Sequence, residues 1–259
     1  MNMRKYNGSL IELPKKGKAI IITDLHGNLK DYNSFMNIWE HFKSENNHLI
    51  ITGDFIQNGN ENDRSIEIMD SIIYNLENDD NFHVLLGNHE WSIITGSPVF
   101  KAGENLNIKF ENLLIRKFGD KYTQKLEIYK EFFKKLPIAV KTMNKVFISH
   151  AGPPTSISNI NEIINITNSG YINNRKLFEI LWNRCENFSK DDVNSFLKNI
   201  GCNVMVVGHT PVDGTKLACK NQLIISSSYS AGKKAFLELD LEKEIKKGKE
   251  LLKMVKYLK

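Results

Sequence analysis

The sequence predicts a mixed α/β domain whose sheets are capped by a helical insertion. Short β-branched apolar runs, each followed by turn residues, recur along the chain and are typical of buried strands. Amphipathic stretches separate the first three runs, which is the pattern of βαβ units. Because no repeat, linker or break in composition divides the chain, residues 1–259 are expected to form a single domain.

Helices separate the first three expected strands, and the later strands follow one another more closely along the chain. The strands cover residues 19–23, 49–52, 82–86, 146–149, 204–207, 223–225 and 235–239. Helices are expected where apolar residues recur at helical spacing. These stretches cover residues 29–42, 64–76, 105–118, 123–135, 177–182, 191–200 and 241–256. The pair at 105–118 and 123–135 is expected to form an insertion at about residues 91–136.

Composition narrows the class of protein only slightly. Hydrophobic residues make up 41% and charged residues 25%, and the net charge of +5 is compatible with an anionic substrate. The basic run at residues 243–249 alternates with acidic and apolar side chains, which is typical of the solvent-exposed face of a helix, here the last one. This pattern does not favour a nucleic-acid partner. No membrane span or secretory signal is evident. Three cysteines without CxxC spacing suggest a reducing cytoplasm.

Five successive predicted strands end in residues that can bind metal ions. In chain order these are Asp24 and His26, Asp54, Asn88 and His89, His150, and His209. The carboxyl ends of neighbouring strands in an α/β fold meet at one crevice, so these side chains are expected to converge. Each motif alone has an ordinary explanation as a turn or a helix cap. Five of them in order make that explanation weak.

The donor types indicate which metals could bind. Oxygen and nitrogen donors without thiolates suit Mn²⁺, Fe, Zn²⁺ or Ni²⁺ better than Ca²⁺. A carboxylate can bridge two cations, and two cations about 3.5–4 Å apart can clamp a phosphate between them. Glycines sit beside the ligands, where tight turns need a permissive backbone. These are Gly27, Gly53, Gly87, Gly152 and Gly208.

Together the motifs resemble the phosphoprotein phosphatase branch of the calcineurin-like metallophosphoesterases, with bacterial and bacteriophage lambda-type enzymes most similar. The resemblance covers about residues 18–240 and rests on Asp24-Leu25-His26-Gly27-Asn28, Gly53-Asp54, Gly87-Asn88-His89-Glu90, His150-Ala151-Gly152, Gly208-His209-Thr210 and the Trp182-Asn183-Arg184 segment. It implies an αββα fold, a β-sandwich flanked by helices. It also implies two divalent metal ions, with Mn²⁺ expected first.

The resemblance implies a role for each motif residue. The first metal would be held by Asp24, His26 and Asp54, and the second by Asp54, Asn88, His150 and His209. A hydroxide bridging the metals would attack phosphorus directly. His89 would protonate the leaving oxygen with help from Asn88, and Arg184 would bind the phosphate, since its planar fork suits phosphoryl oxygens.

One motif departs from the family pattern. Where the family has Gly-Asp-x-x-Asp-Arg-Gly, this chain has Gln57 and Asn58 in place of the second Asp and the Arg. Both positions are expected to bind substrate or support His89. Gln57 could still hydrogen-bond His89 but cannot stabilise an imidazolium as a carboxylate does, and Asn58 supplies no charge. Losing one phosphate cation is expected to cost about 2–4 kcal/mol of transition-state stabilisation. Arg64 is expected on the surface of the next helix and not as a replacement.

Several functions stay open at this point. The first is a phosphomonoesterase acting on phosphoserine or phosphothreonine in proteins. The second is a dinucleoside polyphosphate hydrolase. The expected partner is a phosphorylated protein for the first function and a nucleotide for the second. An aromatic groove formed by Trp91, Phe100 and Phe110 would favour the second, although a core role for each is the simpler expectation. The third is a degenerate member that binds phosphate without turnover.

Overall fold

The computed structural model describes residues 6–58 and 62–258. The strands are β1 (Leu10–Leu13), β2 (Lys18–Ile22), β3 (His48–Ile51), β4 (Phe82–Val84), β5 (Phe100–Lys101), β6 (Glu104–Asn105), β7 (Ala139–Thr142), β8 (Val146–Ser149), β9 (Val204–Val207), β10 (Thr215–Ala218), β11 (Gln222–Ile225), β12 (Ala235–Asp240) and β13 (Val255–Tyr257). The helices are α1 (Leu29–Phe42), α2 (Ser65–Asn78), α3 (Asn88–Thr95), α4 (Leu106–Phe118), α5 (Tyr122–Phe133), α6 (Ile160–Ile164), α7 (Arg175–Trp182), α8 (Lys190–Asn199) and α9 (Gly248–Leu252).

Two large sheets carry the described part of the chain. One has the strand order β1-β7-β8-β9-β11-β10, and the other has the order β13-β12-β2-β3-β4. Strands β2, β3 and β4 are parallel neighbours, and so are β8 and β9. Within each sheet, these parallel strands therefore direct their carboxyl ends toward the same edge, which is where ligands bind in such folds.

The two sheets pack face to face, with helices outside. On β2, Ala19 and Ile21 belong to an apolar cluster shared by both sheets, whereas Ile20 and Ile22 pack in a second cluster with the helices. The same alternation repeats on β9. This αββα arrangement confirms the predicted fold class. It also explains the continuous apolar runs, because each central strand is covered on both faces.

All seven expected strands are present within two residues of their predicted bounds. The helices expected before residue 201 also lie within two residues of α1, α2, α4, α5, α7 and α8. The chain between α3 and α4 holds an unpredicted hairpin, in which β5 pairs antiparallel with β6. None of the described helices combines the length and apolarity that crossing a bilayer requires.

The helix expected over residues 241–256 is wrong. Only α9 is helical there, and β13 pairs antiparallel with β12 at the edge of its sheet. Before α9 the chain turns, because Asn144 Nδ2 donates to the carbonyl oxygens of Asp240 (2.8 Å) and Lys243 (2.9 Å), which a helix would use internally. Ile245 is fully buried in this turn. The basic run lies in the same turn and at the start of α9.

Candidate functional site

The candidate site lies where strands of both sheets end. Asp24 and His26 follow β2, Asp54 follows β3, Asn88 begins α3 after β4, His150 follows β8, and His209 follows β9. Backbone hydrogen bonds join the turns, since the His26 N–H donates to the Asp54 carbonyl (2.8 Å) and the Gly208 N–H donates to the His150 carbonyl (2.9 Å). The structure thus brings the six residues expected as metal ligands to one edge of the sandwich.

Several of these residues have a backbone conformation that L-amino acids rarely adopt. Ten non-glycine residues in the described chain have positive φ angles. Five of them are candidate site residues, namely Asp24 (43°), His26 (44°), Asp54 (52°), Gln57 (64°) and His209 (62°). Each costs on the order of 1–3 kcal/mol of backbone strain. Glycine would remove that strain but would supply no side chain. These positions therefore keep a polar side chain in the site despite the backbone strain.

Asp54 is the centre of the site. One of its oxygens, Oδ2, lies 3.5 Å from His150 Nε2, 3.7 Å from His89 Nε2 and 3.9 Å from His26 Nε2. The other, Oδ1, accepts the backbone N–H of His89 at 3.0 Å. Ligand atoms of His26, Asp54 and His89 lie within 4.8 Å of one another, and so do those of Asp54, His150 and His209. A carboxylate between two groups of imidazoles can serve two cations at once.

His150 faces more acceptors than it has protons. Burial lowers the pKa of this fully buried imidazole, so it is neutral and has one ring proton. Its Nδ1 lies 3.1 Å from the Thr52 carbonyl oxygen, and its Nε2 lies 2.8 Å from Asn88 Oδ1. One of these contacts therefore joins two lone pairs. With the proton on Nδ1, Nε2 and Asn88 Oδ1 both present lone pairs, which is the arrangement of two ligands of one cation.

The charges of the site also fit divalent metal ions. Burial raises the pKa of Asp24, and burial together with the nearby Asp24 charge raises the pKa of Asp54 well above its usual value. Burial, followed by the charge of Lys101, lowers the pKa of His26 to about 4. Two crowded, buried carboxylates beside neutral imidazoles form a donor set that a cation would stabilise.

Glu90 holds the turns that carry the ligands. Its side chain is fully buried. Oε2 accepts the backbone N–H groups of Asp54 (2.9 Å) and Gly87 (3.0 Å), and Oε1 accepts those of Phe55 (3.0 Å) and Ile56 (3.3 Å). Glu90 belongs to the Gly87-Asn88-His89-Glu90 motif, but no role was predicted for it from the sequence. The available signal was a glutamate three residues after the glycine that precedes α3.

Gln57 fixes the orientation of His89. The His89 Nδ1–H donates to Gln57 Oε1 at 2.7 Å, and Gln57 Nε2 donates to Asn107 Oδ1 at 3.1 Å. Asn107 in turn donates to the carbonyl oxygens of Ser92 (3.3 Å) and Ser97 (3.1 Å), so both amide groups have a defined orientation. This leaves His89 Nε2 directed toward the site. Asn107 was not among the residues predicted from sequence.

The remaining substrate-binding candidates line one cleft of about 700 Å³. Asn58 and Arg184 both border it, together with Asp24, Asp54 and His89. The side chain of Arg184 is exposed, and its Nε–H donates to His209 Nε2 at 3.2 Å. The Asn58 backbone N–H donates to Asp63 Oδ2 at 2.9 Å, which fixes the loop without using the Asn58 side chain.

Other predicted positions lie away from the chemistry. Arg64 is exposed and pairs with Glu67 at 3.2 Å on the surface of α2. Phe110 is fully buried, and Trp91 is 8% exposed. Phe100 differs from both, because it is 64% exposed and lines the cleft. Of the three aromatic residues proposed for a groove, only Phe100 therefore presents a largely free ring to it.

Residues 17–213 match the family model described as calcineurin-like phosphoesterase. The chain belongs to this family. The match covers most of the chain and confirms the resemblance that the strand-end motifs carry. The fold is therefore that of a calcineurin-like phosphoesterase.

Similar proteins include serine/threonine phosphatases. This calcineurin-like phosphoesterase is 23% identical over 222 residues to a probable serine/threonine-protein phosphatase of Encephalitozoon cuniculi, covering 79% of this chain and 45% of that protein. It is 32% identical over 145 residues to human serine/threonine-protein phosphatase 5, covering 54% of this chain and 25% of that protein. The chain thus spans less than half the length of these curated relatives.

Solved structures share the calcineurin-like phosphoesterase fold. A protein serine/threonine phosphatase of Saccharomyces cerevisiae, described as similar to human phosphatase PP5, superposes with a TM-score of 0.69 at 18% identity, covering 89% of this chain and 76% of that chain. A cold-active protein-tyrosine phosphatase of a psychrophilic Shewanella superposes with a TM-score of 0.66 at 17% identity, covering 100% of this chain and 86% of that chain. At such identities these matches show the fold alone.

Proposed function

We propose that this protein is a metal-dependent phosphatase that hydrolyses phosphomonoesters, with phosphoserine or phosphothreonine in a protein as the substrate. The observation that carries the proposal is the convergence of His26, His89 and His150 on one oxygen of Asp54, beside a cleft that contains Arg184. Relatives named as serine/threonine phosphatases support the choice of substrate.

Two divalent metal ions fit the donor set, and we propose Mn²⁺, with Fe, Zn²⁺ and Ni²⁺ as alternatives. The ions would be held by Asp24, His26 and Asp54 on one side and by Asp54, Asn88, His150 and His209 on the other. Such ions, when bound, lower the pKa of water and offset the charge of the phosphoryl oxygens.

The remaining groups act on the substrate directly. Arg184 can bind two phosphoryl oxygens with its planar guanidinium and orient the ester in the cleft. His89 Nε2 faces the site because Gln57 holds the protonated Nδ1 on the opposite side of the ring. His89 would give a proton to the leaving oxygen from Nε2 once both ring nitrogens are protonated. Gln57 is neutral, so it orients His89 without stabilising its charged form.

A dinucleoside polyphosphate hydrolase is the second candidate. The exposed ring of Phe100 in the cleft supports it, since a nucleobase could stack there. It ranks second because the curated relatives reported above are named as protein phosphatases.

The test is a substrate survey with the purified, Mn²⁺-loaded protein. We expect hydrolysis of p-nitrophenyl phosphate and of phosphoserine or phosphothreonine peptides, lost on chelation and restored by Mn²⁺. Dinucleoside polyphosphates cleaved much faster than phosphopeptides would support the second candidate. Metal-loaded protein that is inert toward every phosphoester offered would refute both.

The double variant Gln57→Asp, Asn58→Arg tests the degenerate-member hypothesis. A large gain in activity would show that the natural site is catalytically impaired. A loss would show that Gln57 and Asn58 suit the substrate that the protein uses. Either result is compared with the unchanged protein at equal metal occupancy.

Two properties of the whole chain are part of the proposal. We place the protein in the cytoplasm on account of Cys185, Cys202 and Cys219, which are all unpaired thiols. We also propose a single domain, with the insertion at about residues 91–136 contributing α4, α5 and one wall of the cleft.

A further inference from the structure

Besides Arg184, the cleft has a second positively charged side chain, which the sequence motifs did not indicate. Among the described residues that line it, the only lysine or arginine side chains are those of Arg184 and Lys101. Asn58 lines the same cleft and is uncharged. A phosphomonoester dianion brings two negative charges into this space, and beyond the proposed metal ions Arg184 contributes one positive charge toward them.

Lys101 is held at the cleft by a well-anchored hairpin. It ends β5, directly after Phe100, and is paired in register with Glu104 of β6. The Leu106 N–H donates to the Val99 carbonyl at 2.8 Å and closes the base of the hairpin. The next turn belongs to α4, where Asn107 binds Gln57. The hairpin and the support of His89 are therefore parts of one connected segment.

The ammonium group of Lys101 is available for a ligand. Its cross-strand neighbour Glu104 pairs instead with Lys109. Within the described residues, no ion pair involves Lys101. Its side chain lines the same cleft as His26 and His89.

We propose that Lys101 is a phosphate-binding residue that supplies, from the β5–β6 hairpin, the positive charge that Asn58 lacks. This rests on the proposed function, because it assigns a further substrate-binding group to the same cleft. An ammonium on a flexible stem suits this role, since it binds phosphate as a point charge and does not need the planar geometry of an arginine. Lys101 and Arg184 together then bind one phosphoryl group.

The experiment compares Lys101→Met with Lys101→Arg in the Mn²⁺-loaded protein. Lys101→Met keeps the aliphatic stem and removes the charge. The readouts are the affinity for inorganic phosphate by isothermal titration calorimetry and kcat/KM on p-nitrophenyl phosphate. We expect Lys101→Met to reduce kcat/KM by about 100- to 1000-fold, as removal of an oxyanion-binding group does, and to weaken phosphate binding as well. Lys101→Arg should keep most of the affinity.

Two further variants separate this role from a general effect of charge. Lys121→Met removes an exposed lysine outside the cleft lining and should change neither readout. Asn58→Arg should restore phosphate affinity in the Lys101→Met background and add much less to the unchanged protein, because the two cations would serve the same group. Equal gains in both backgrounds would overturn the proposal.

The outcomes also distinguish this proposal from the proposed function. If the unchanged protein hydrolyses phosphoesters and Lys101→Met matches it in both readouts, the proposal for Lys101 fails alone. If the unchanged protein binds phosphate through Lys101 yet hydrolyses nothing, the proposed function fails and Lys101 stands. Absence of phosphate binding by the metal-loaded protein overturns both.

Discussion

Replacing Glu90 with glutamine should destabilise the fold, although the two side chains have nearly the same size. The Glu90 carboxylate is fully buried and accepts four backbone N–H groups, at 2.9, 3.0, 3.0 and 3.3 Å. Glutamine keeps one acceptor oxygen and puts an NH₂ group where the other oxygen was. Two of the four N–H groups would then face a donor instead of an acceptor.

The size of the effect follows from that count. Hydrogen bonds to a charged group contribute about 1.5–3 kcal/mol each, so the loss of two costs about 3–6 kcal/mol. For a chain of this length, 1 kcal/mol corresponds to about 2–4 °C in Tm. Glu90→Gln should therefore lower Tm by about 6–24 °C. The upper limit of the free-energy loss, about 6 kcal/mol, is close to the total free energy of unfolding of a marginally stable protein.

The assay is thermal unfolding of the chelator-treated protein, followed by circular dichroism at pH 9. This pH lies above the pKa of Glu90, which burial, followed by the nearby Asp54 charge, raises to about 8, so the carboxyl is ionised in the unchanged protein. Glutamine also removes the cost of burying that charge, so we expect the fall in Tm to lie at the lower end of the range. Glu131→Gln is the matched control, because Glu131 pairs with Lys134 on the exposed face of α5 and should not measurably affect Tm. A fall of less than 3 °C for Glu90→Gln would refute the reasoning.

Two predictions concern the metal ligands. Mn²⁺ at 100 times its dissociation constant should stabilise the protein by about 2.7 kcal/mol and raise Tm by about 5–11 °C, whereas Asp54→Asn should lose most of that gain; an equal gain in both would show that Mn²⁺ binds elsewhere. Gly208→Ala should lower Mn²⁺ affinity at least about 10-fold, since a methyl group there would lie 2.1 Å from Asp24 Oδ2 and must displace that carboxylate. Unchanged affinity, measured by calorimetry, would place Asp24 outside the metal site.

The strands were predictable from the sequence, and the positions proposed as metal ligands depend on the same physical cause. A strand covered on both faces must be apolar throughout, so its end is marked by the first polar residue. At β2 and β3 that end coincides with the turn that carries Asp24 and Asp54. A short apolar run followed by Asp or His therefore predicts the strand and the ligand together.

The hairpin and the chain terminus were not predictable in the same way. Strands β5 and β6 have two residues each, too few for a period of two to be visible. The base of the hairpin is closed by one backbone hydrogen bond, from the Leu106 N–H to the Val99 carbonyl. At the terminus, Leu241, Ile245 and Leu252 have helical spacing, but the Asn144 side chain binds carbonyl groups that a helix needs. At the terminus a contact between distant segments decided the outcome, and local pattern does not report such contacts.

The proposed metal ligands and the proposed phosphate-binding groups differ in how tightly the backbone constrains them. A ligand such as Asp54 occupies a strained turn whose amides are bound by Glu90, and whose carbonyl accepts the N–H of His26. A change there disturbs several other ligands at once. Asn58 has no such constraint on its side chain, because its loop is fixed through its backbone N–H. A phosphate-binding cation can therefore be lost at Asn58 and provided at Lys101 without any movement of the ligand turns. The same separation explains how a chain can keep every metal-binding motif while its second motif departs from the family pattern.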